Sequence, residues 1–117
     1  MLNLKLDTRP TVKIYDPALC CPTGLCGVNI DPELMRIAVV IESLKKKGVV
    51  IERFNLRDHP QVYVENKVIN AFLMEESAEV LPITTLNDKV VLTKQYPSNK
   101  QIAAWLHVSE EELTVRK

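Results

Sequence analysis

The sequence predicts an α/β fold whose elements follow the order β-α-β-α-β-β-α. Two observations lead to this prediction. Residues 11–54 contain a strand, a helix and a second strand, and residues 81–93 contain two short apolar runs separated by two turn-forming residues. A strand that follows a helical crossover pairs in parallel with the strand before it, whereas a two-residue turn joins antiparallel strands. We therefore expect a mixed central sheet flanked by helices.

The first strand and the first helix have strong local signals. Residues 11–15 alternate in polarity and are rich in β-formers. Asp31 is a suitable N-cap, Pro32 suits the first helical position, and the lysines before Gly48 suit a helix end. Helical spacing predicts that this helix buries Leu34, Ile37, Ala38, Ile41 and Leu44.

The middle of the chain predicts a second strand and two helices. Residues 49–54 form an apolar, β-branched run that follows one helix after the first strand. A short helix is expected around Pro60, and a longer one begins with Asn66 as its cap. The longer helix is expected to bury Val68, Ile69, Phe72 and Leu73.

The last part of the chain predicts a hairpin and a closing helix capped by Ser98. The hairpin strands are residues 81–86 and 89–93, joined by Asn87 and Asp88. This order of elements is that of thioredoxin-like proteins. In that fold the strand that opens the hairpin starts with a cis proline facing the loop after the first strand, and Pro82 occupies this position.

Length and composition indicate one domain that is neither strongly charged nor membrane-spanning. The 117 residues are 46% hydrophobic, which suits one core, so residues 1–117 are expected to form a single domain with 1–10 as a lead-in. Fifteen basic and fifteen acidic residues cancel, which counts against strong nucleic-acid binding. No signal peptide or bilayer-length apolar run is evident. We therefore expect a cytoplasmic protein with reduced thiols.

The three cysteines of the chain lie within seven residues, in the loop 16–27, whose sequence is DPALCCPTGLCG. Cys20, Cys21 and Cys26 lack the Cys-x-x-Cys spacing of dithiol oxidoreductases. They also fall short of the four ligands of structural zinc, and His59 and His107 are distant in sequence and expected at the surface. Three soft thiolates suit As(III) or Sb(III), which takes three pyramidal bonds. The loop is therefore predicted to be a metalloid site.

A redox function remains open as an alternative. Cys20 and Cys21 are adjacent, so a disulfide between them would be strained. Cys21 and Cys26 can reach each other across residues 22–24, which contain a proline and a glycine. A thioredoxin-like redox enzyme using Cys21 and Cys26 is therefore the competing interpretation.

The sequence resembles the ArsD family over residues 11–108. The most specific feature is the pattern Asp-Pro-Ala-x-Cys-Cys-x-Thr-Gly-x-Cys-Gly, which begins at Asp16. Further similarity lies at Tyr15, Gly48-Val49, Ile51 to Leu56, Leu81-Pro82 and Tyr96-Pro97.

The resemblance implies an arsenical metallochaperone that is also a weak repressor of an arsenic resistance operon. Cys20, Cys21 and Cys26 would bind As(III) or Sb(III) and pass it to the ArsA ATPase of an efflux pump. The metalloid, received from small cytosolic thiols, is then cargo; no enzyme activity and no permanent cofactor are expected. The resemblance also implies weak operator DNA binding by a homodimer, although no helix here has a convincing basic recognition face.

Overall fold

The computed structural model describes residues 9–19, 21, 25 and 31–113, and these form a four-stranded mixed sheet flanked by helices. The strands are β1 (Val12–Asp16), β2 (Glu52–Asn55), β3 (Ile83–Leu86) and β4 (Lys89–Thr93). The helices are α1 (Pro32–Lys46), α2 (Pro60–Glu65), α3 (Lys67–Glu76) and α4 (Asn99–Leu106), with 3-10 turns at Ser77–Val80 and Glu110–Leu113. The predicted α/β class and element order are confirmed.

The strand order across the sheet is β2-β1-β3-β4. In the centre, Ile14 of β1 pairs in parallel with Arg53 of β2 and antiparallel with Thr84 of β3. The hairpin of β3 and β4 completes the sheet. Because β1 and β2 are parallel, their carboxyl ends lie at the same edge of the sheet.

Two apolar clusters cover the two faces of the sheet. Val12 and Ile14 pack on one face with residues of α1 and α4, whereas Tyr15 packs on the other with residues of α2 and α3. This division follows from the alternation of side chains along β1. Asp16, at the same alternate positions as Val12 and Ile14, is thereby directed to the α1 and α4 face.

The predicted helix caps are present. The Asp31 side chain accepts a hydrogen bond from the backbone N–H of Glu33, and Pro32 opens α1. Asn66 accepts from the N–H groups of Val68 and Ile69 at the start of α3. Ser98 and Gln101 form a reciprocal capping box at the start of α4. These side chains satisfy N–H groups that have no partner within the helix.

The hairpin turn and the proline before it also follow the prediction. Asn87 and Asp88 have φ values of 51° and 71°, as a two-residue hairpin turn requires. The Asn87 side chain also accepts a hydrogen bond from the Thr11 N–H at 2.9 Å, which ties the turn to the start of β1. The Leu81–Pro82 peptide bond is cis.

Several predicted helix faces are wrong in detail. Val68 is 47% exposed, because it lies about 100° round the helix from the buried Ile69, at the edge of the apolar stripe. In α1 the predicted Leu34, Ile37 and Leu44 are buried. Val40 is buried in addition, while the predicted Ala38 and Ile41 are only half-buried. The stripe of α1 is therefore rotated slightly from its predicted position.

Two predicted strands are shorter in the structure. β2 starts at Glu52 rather than at residue 49, although Val49 and Ile51 are buried. β3 starts at Ile83 rather than at residue 81. In both cases apolar residues that were assigned to a strand are buried without pairing in the sheet.

Candidate functional site

The carboxyl ends of β1 and β2 carry two polar residues that pair directly in register, Asp16 and Asn55. Both are buried, at 0% and 3% exposure. The segment that contains the cysteines leaves β1 at Asp16, and the turn before α2 leaves β2 at Asn55. The parallel pairing therefore brings the cysteine segment and this turn together at one edge of the sheet.

The Asn55 side chain binds the backbone of the cysteine segment. Its Oδ1 accepts hydrogen bonds from the N–H groups of Leu19 and Arg57, each at 3.0 Å. Its Nδ2 donates to the carbonyl oxygens of Leu19 at 3.1 Å and Cys21 at 3.3 Å. The carboxamide thus uses two acceptor and two donor positions, and it contacts the residues on both sides of Cys20.

Of the predicted ligands, Cys21 lies among the described residues, where it is half-buried. Cys20 and Cys26 lie outside the described residues, as do Pro22, Gly24 and Gly27 of the same loop. The gathering of three thiols around one ion therefore stays a prediction.

Asp16 is the centre of a buried polar cluster. The Arg53 Nε lies 2.6 Å from Asp16 Oδ2, and Arg53 Nη2 lies 3.4 Å from Oδ1. The Tyr96 hydroxyl donates to Asp16 Oδ1, and the Arg53 guanidinium lies 5.9 Å from the centre of the Tyr96 ring. Burial raises the pKa of Asp16, while the hydrogen bonds from Arg53 and Tyr96 act in the opposite direction.

Tyr63 of α2 ties both strand ends together. Its hydroxyl lies 2.6 Å from the carbonyl oxygen of Asp16 and 2.8 Å from that of Phe54, so the two carbonyls share one donor. Burial, reinforced by the charge of Asp16, raises the pKa of Tyr63. The hydroxyl therefore stays protonated and able to donate even at a pH where a free tyrosine ionises.

A cleft of about 340 Å³ lies beside the cysteine segment. Pro17 and Leu19 contribute one wall, the start of α1 contributes Asp31 and Leu34, and cis Pro82 also lines it. Pro82 thus faces the loop after the first strand, as expected for the fold.

The two histidines are exposed, as predicted for surface residues. The His59 ring packs edge-on against Phe54, with centroids 6.2 Å apart. Within residues 9–19, 21, 25 and 31–113, no group of three or more His, Cys, Asp or Glu side chains is placed to hold a metal ion. The same part of the chain contains no helix that is both long and apolar enough to cross a membrane.

Residue-by-residue reasoning missed the polar cluster beneath the cysteine segment. The sequence places Asp16 at the start of the cysteine loop and Arg53 in the second predicted strand, while Asn55 and Tyr96 are singled out only by the family resemblance. A usable signal was present, since polar residues that end two neighbouring parallel strands meet at one edge of the sheet. Neither Tyr63 nor Tyr96 has a comparable signal, because their partners are 47 and 80 residues away along the chain.

The strand order, the cis proline facing the segment after β1, and the helices around the sheet define a thioredoxin-like α/β protein. Comparison with known proteins identifies its family. The family model described as "Arsenical resistance operon protein ArsD" matches residues 10–117, and the chain belongs to this family.

Individual relatives agree with this assignment. Two Escherichia coli proteins named "Arsenical resistance operon trans-acting repressor ArsD" are each 38% identical to the chain, over 98 and 100 residues. These alignments cover 84% and 86% of this chain and 82% and 83% of the relatives. The crystal structure of an arsenical resistance operon trans-acting repressor from Bacteroides vulgatus is 54% identical, with a TM-score of 0.85, and the match covers 89% of this chain and 98% of that one.

Proposed function

We propose that the protein is a carrier of trivalent metalloid that binds As(III) or Sb(III) through Cys20, Cys21 and Cys26. The observation that supports this most directly is the attachment of the cysteine segment to the sheet. The segment leaves the buried end of β1, and Asn55 binds its backbone at Leu19 and Cys21. A ligand-bearing segment held in this way starts from a rigid support, as an accurate binding site needs.

The binding chemistry is a ligand exchange without electron transfer. Arsenous acid, As(OH)₃, reacts with three thiols to form three As–S bonds, and each hydroxide leaves as water with one thiol proton. Thiolate sulfur is soft and favours such an ion over hard cations. Cys21 is half-buried rather than enclosed, which suits entry and departure of the cargo.

We further propose that the cargo comes from small cytosolic thiols and is delivered to an ArsA-type ATPase. Membership of the ArsD family supports this role. Delivery would proceed one sulfur at a time, as a thiolate of the partner replaces each thiolate of the carrier. The protein then acts in the cytoplasm without catalysing a reaction and without a permanent cofactor.

Repression of an arsenic resistance operon is a second candidate function, favoured by the names of the Escherichia coli and Bacteroides relatives. Bound metalloid would release a homodimer from its operator. The net charge of zero agrees with weak DNA binding, because phosphate contacts require basic residues. The test is an operator gel shift with and without arsenite at two salt concentrations, and loss of the shifted band on arsenite addition is expected.

Native mass spectrometry of the reduced protein with arsenite tests the metalloid site. We expect one arsenic per chain in place of three thiol protons, and weakened binding in each of Cys20→Ser, Cys21→Ser and Cys26→Ser. Ala18→Ser, an exposed position in the same segment, is the matched control and should bind as the unaltered protein does. Full binding by all three cysteine variants would contradict the three-thiolate site, and a stable Cys21–Cys26 disulfide with turnover of a disulfide substrate would favour the redox alternative.

Delivery is tested separately with the loaded protein and a purified ArsA-type ATPase. We expect the loaded carrier to stimulate ATP hydrolysis more than an equal concentration of free arsenite held by a small thiol. Equal stimulation by both would contradict delivery while leaving the metalloid site intact.

A further inference from the structure

The hydrogen bonds of the Asn55 side chain are not accounted for by the predicted ligand set of three cysteines. Asn55 is 3% exposed, lies in β2, and binds residues that are 34 and 36 positions away in the chain. Among the described residues, three hydrogen bonds of this side chain go to Leu19 and Cys21, the two neighbours of Cys20. We propose that Asn55 is a positioning residue that sets the backbone around Cys20 for cargo binding; this rests on the proposed metalloid site.

Asn55 is itself held firmly. It pairs with Asp16 at the end of β2, and its Oδ1 also accepts from the N–H of Arg57. Its carbonyl oxygen accepts from the N–H groups of Asp58 at 3.0 Å and His59 at 2.8 Å. The turn after β2 therefore fixes both the backbone and the side chain of Asn55. A fixed support of this kind can set the backbone positions of Leu19 and Cys21.

The chemistry of the carboxamide explains why asparagine suits this position. Leu19 presents both an N–H and a carbonyl to the side chain, and Cys21 presents a carbonyl. Only a group with both acceptor and donor atoms can satisfy this set. An aspartate would keep the acceptor for Leu19 but would turn an oxygen towards two carbonyl oxygens. A buried residue without the correct donors leaves these groups unpaired.

The hydrogen bonds of Asn55 order the backbone of Leu19 and Cys21 before cargo binds. This reduces the conformational entropy that is lost in the binding step. Each residue that becomes ordered only on binding loses backbone entropy at that step. Asn55 restricts the residues that flank Cys20 in the protein without cargo, so a smaller part of this cost falls on the binding step. Partners that orient metal ligands typically change affinity 10- to 100-fold when they are removed.

The first test uses the protein without cargo and measures amide hydrogen exchange at Leu19. We expect Asn55→Ala to accelerate this exchange on the order of tenfold, since the N–H loses its acceptor. Asn66→Ala is the matched control, because it also removes an asparagine that accepts from two backbone N–H groups, at the start of α3. The control should leave Leu19 exchange unchanged; rapid exchange of Leu19 in the unaltered protein would overturn the proposal.

The second test measures the dissociation constant for arsenite. We expect Asn55→Ala to weaken binding by about 10- to 100-fold and Asn66→Ala to have little effect. Asn55→Asp keeps the side-chain volume but replaces the donor with an acceptor and adds a negative charge, so it should weaken binding as well. Unchanged affinity in both Asn55 variants would overturn the positioning role while leaving the three-thiolate site standing.

The two proposals fail in different ways. Absence of arsenite binding by the unaltered protein would overturn the metalloid site and, with it, the role of Asn55 in cargo binding. Binding by the unaltered protein that is insensitive to Asn55 would overturn only the role of Asn55. Loss of binding in Asn55→Ala and Asn66→Ala alike would show a general effect of stability and would also contradict positioning.

Discussion

The guanidinium of Arg53 lies 2.6 Å from the carboxylate of Asp16, and the Asp16 side chain has no solvent exposure. A carboxylate removed from water is unfavourable unless it is paired and hydrogen-bonded. Arg53 of β2 and Tyr96, which precedes α4, together supply these partners. The end of β1, where the cysteine segment leaves the sheet, is therefore stabilised by one residue of β2 and one residue that precedes α4.

Arg53→Met is expected to lower the free energy of unfolding by about 3–5 kcal/mol at pH 7, because Asp16 would remain buried without its cation. Urea denaturation at pH 7 measures the loss. Lys13→Met in β1 is the control, since its partners Glu52 and Asp88 are exposed and such pairs contribute at most about 1 kcal/mol. Similar losses for both variants would contradict a structural role for the Asp16–Arg53 pair.

The raised pKa of Asp16 predicts a pH dependence of stability. The folded protein holds the Asp16 proton more tightly than the unfolded chain, whose carboxyl has the ordinary value of 3.8. The contribution of Asp16 is therefore fully present below pH 3.8 and is lost as the pH rises through the raised folded value.

Asp16→Asn isolates this effect. The free energy of unfolding of the unaltered protein minus that of the variant should fall as the pH rises from 3.8 towards neutrality. Glu33, whose pKa is lowered by Arg36, and Glu112, whose pKa is lowered by Ser109, titrate in both proteins and cancel. Urea denaturation over this range measures the difference, and a difference that rises with pH would show that the folded pKa of Asp16 is lowered instead.

Tyr63→Phe is expected to destabilise the protein by about 1–3 kcal/mol, because the carbonyls of Asp16 and Phe54 would lose their shared donor in a buried place. Tyr15→Phe is the control. Within the part of the chain that the structure describes, the Tyr15 hydroxyl accepts a longer hydrogen bond, 3.4 Å from Asn66 Nδ2. Thermal or urea denaturation of both variants measures the losses. Equal losses of stability would contradict a stabilising role for the Tyr63 hydroxyl.

Ser98→Ala should cost about 1 kcal/mol, since the capping box at the start of α4 would lose the acceptor of the Gln101 N–H. Ser98→Asp restores an acceptor and should recover most of the loss. The hydrogen bonds described for Ser98 lie at the start of α4, so arsenite affinity should stay constant in both variants. A change in affinity with Ser98→Ala would indicate that α4 influences the site.

The local parts of the fold were predictable because their signals lie within a few residues. Asp31 followed by Pro32, Asn66 before an apolar stripe, and Asn87-Asp88 between β-branched runs each determine a cap or a turn directly. The topology followed from the strand–helix–strand unit and the hairpin. Val68 is predicted to be buried but is exposed. The spacing of apolar residues does not show whether a residue at the edge of the stripe faces the core.

The site was predictable only in part. The cysteine cluster is evident from sequence because its members are neighbours in the chain. The polar residues at the sheet edge where this segment begins, Asp16, Arg53, Asn55 and Tyr96, are brought together by strand pairing and by a segment that returns from 80 residues away. Such long-range contacts depend on register, and register is fixed only once the whole sheet is known.

The central place of β1 also has a consequence for how the chain is made. Ile14 gains its parallel partner only when Arg53 has been made. It gains its antiparallel partner only when Thr84 has been made, 70 residues after Ile14 itself. At ribosomal rates of 5–20 residues per second this interval is roughly 4 to 14 s. Throughout it β1 lacks at least one of its two sheet partners. Among the four strands of the described sheet, β1 is therefore the one that stays longest without its complete set of partners during synthesis.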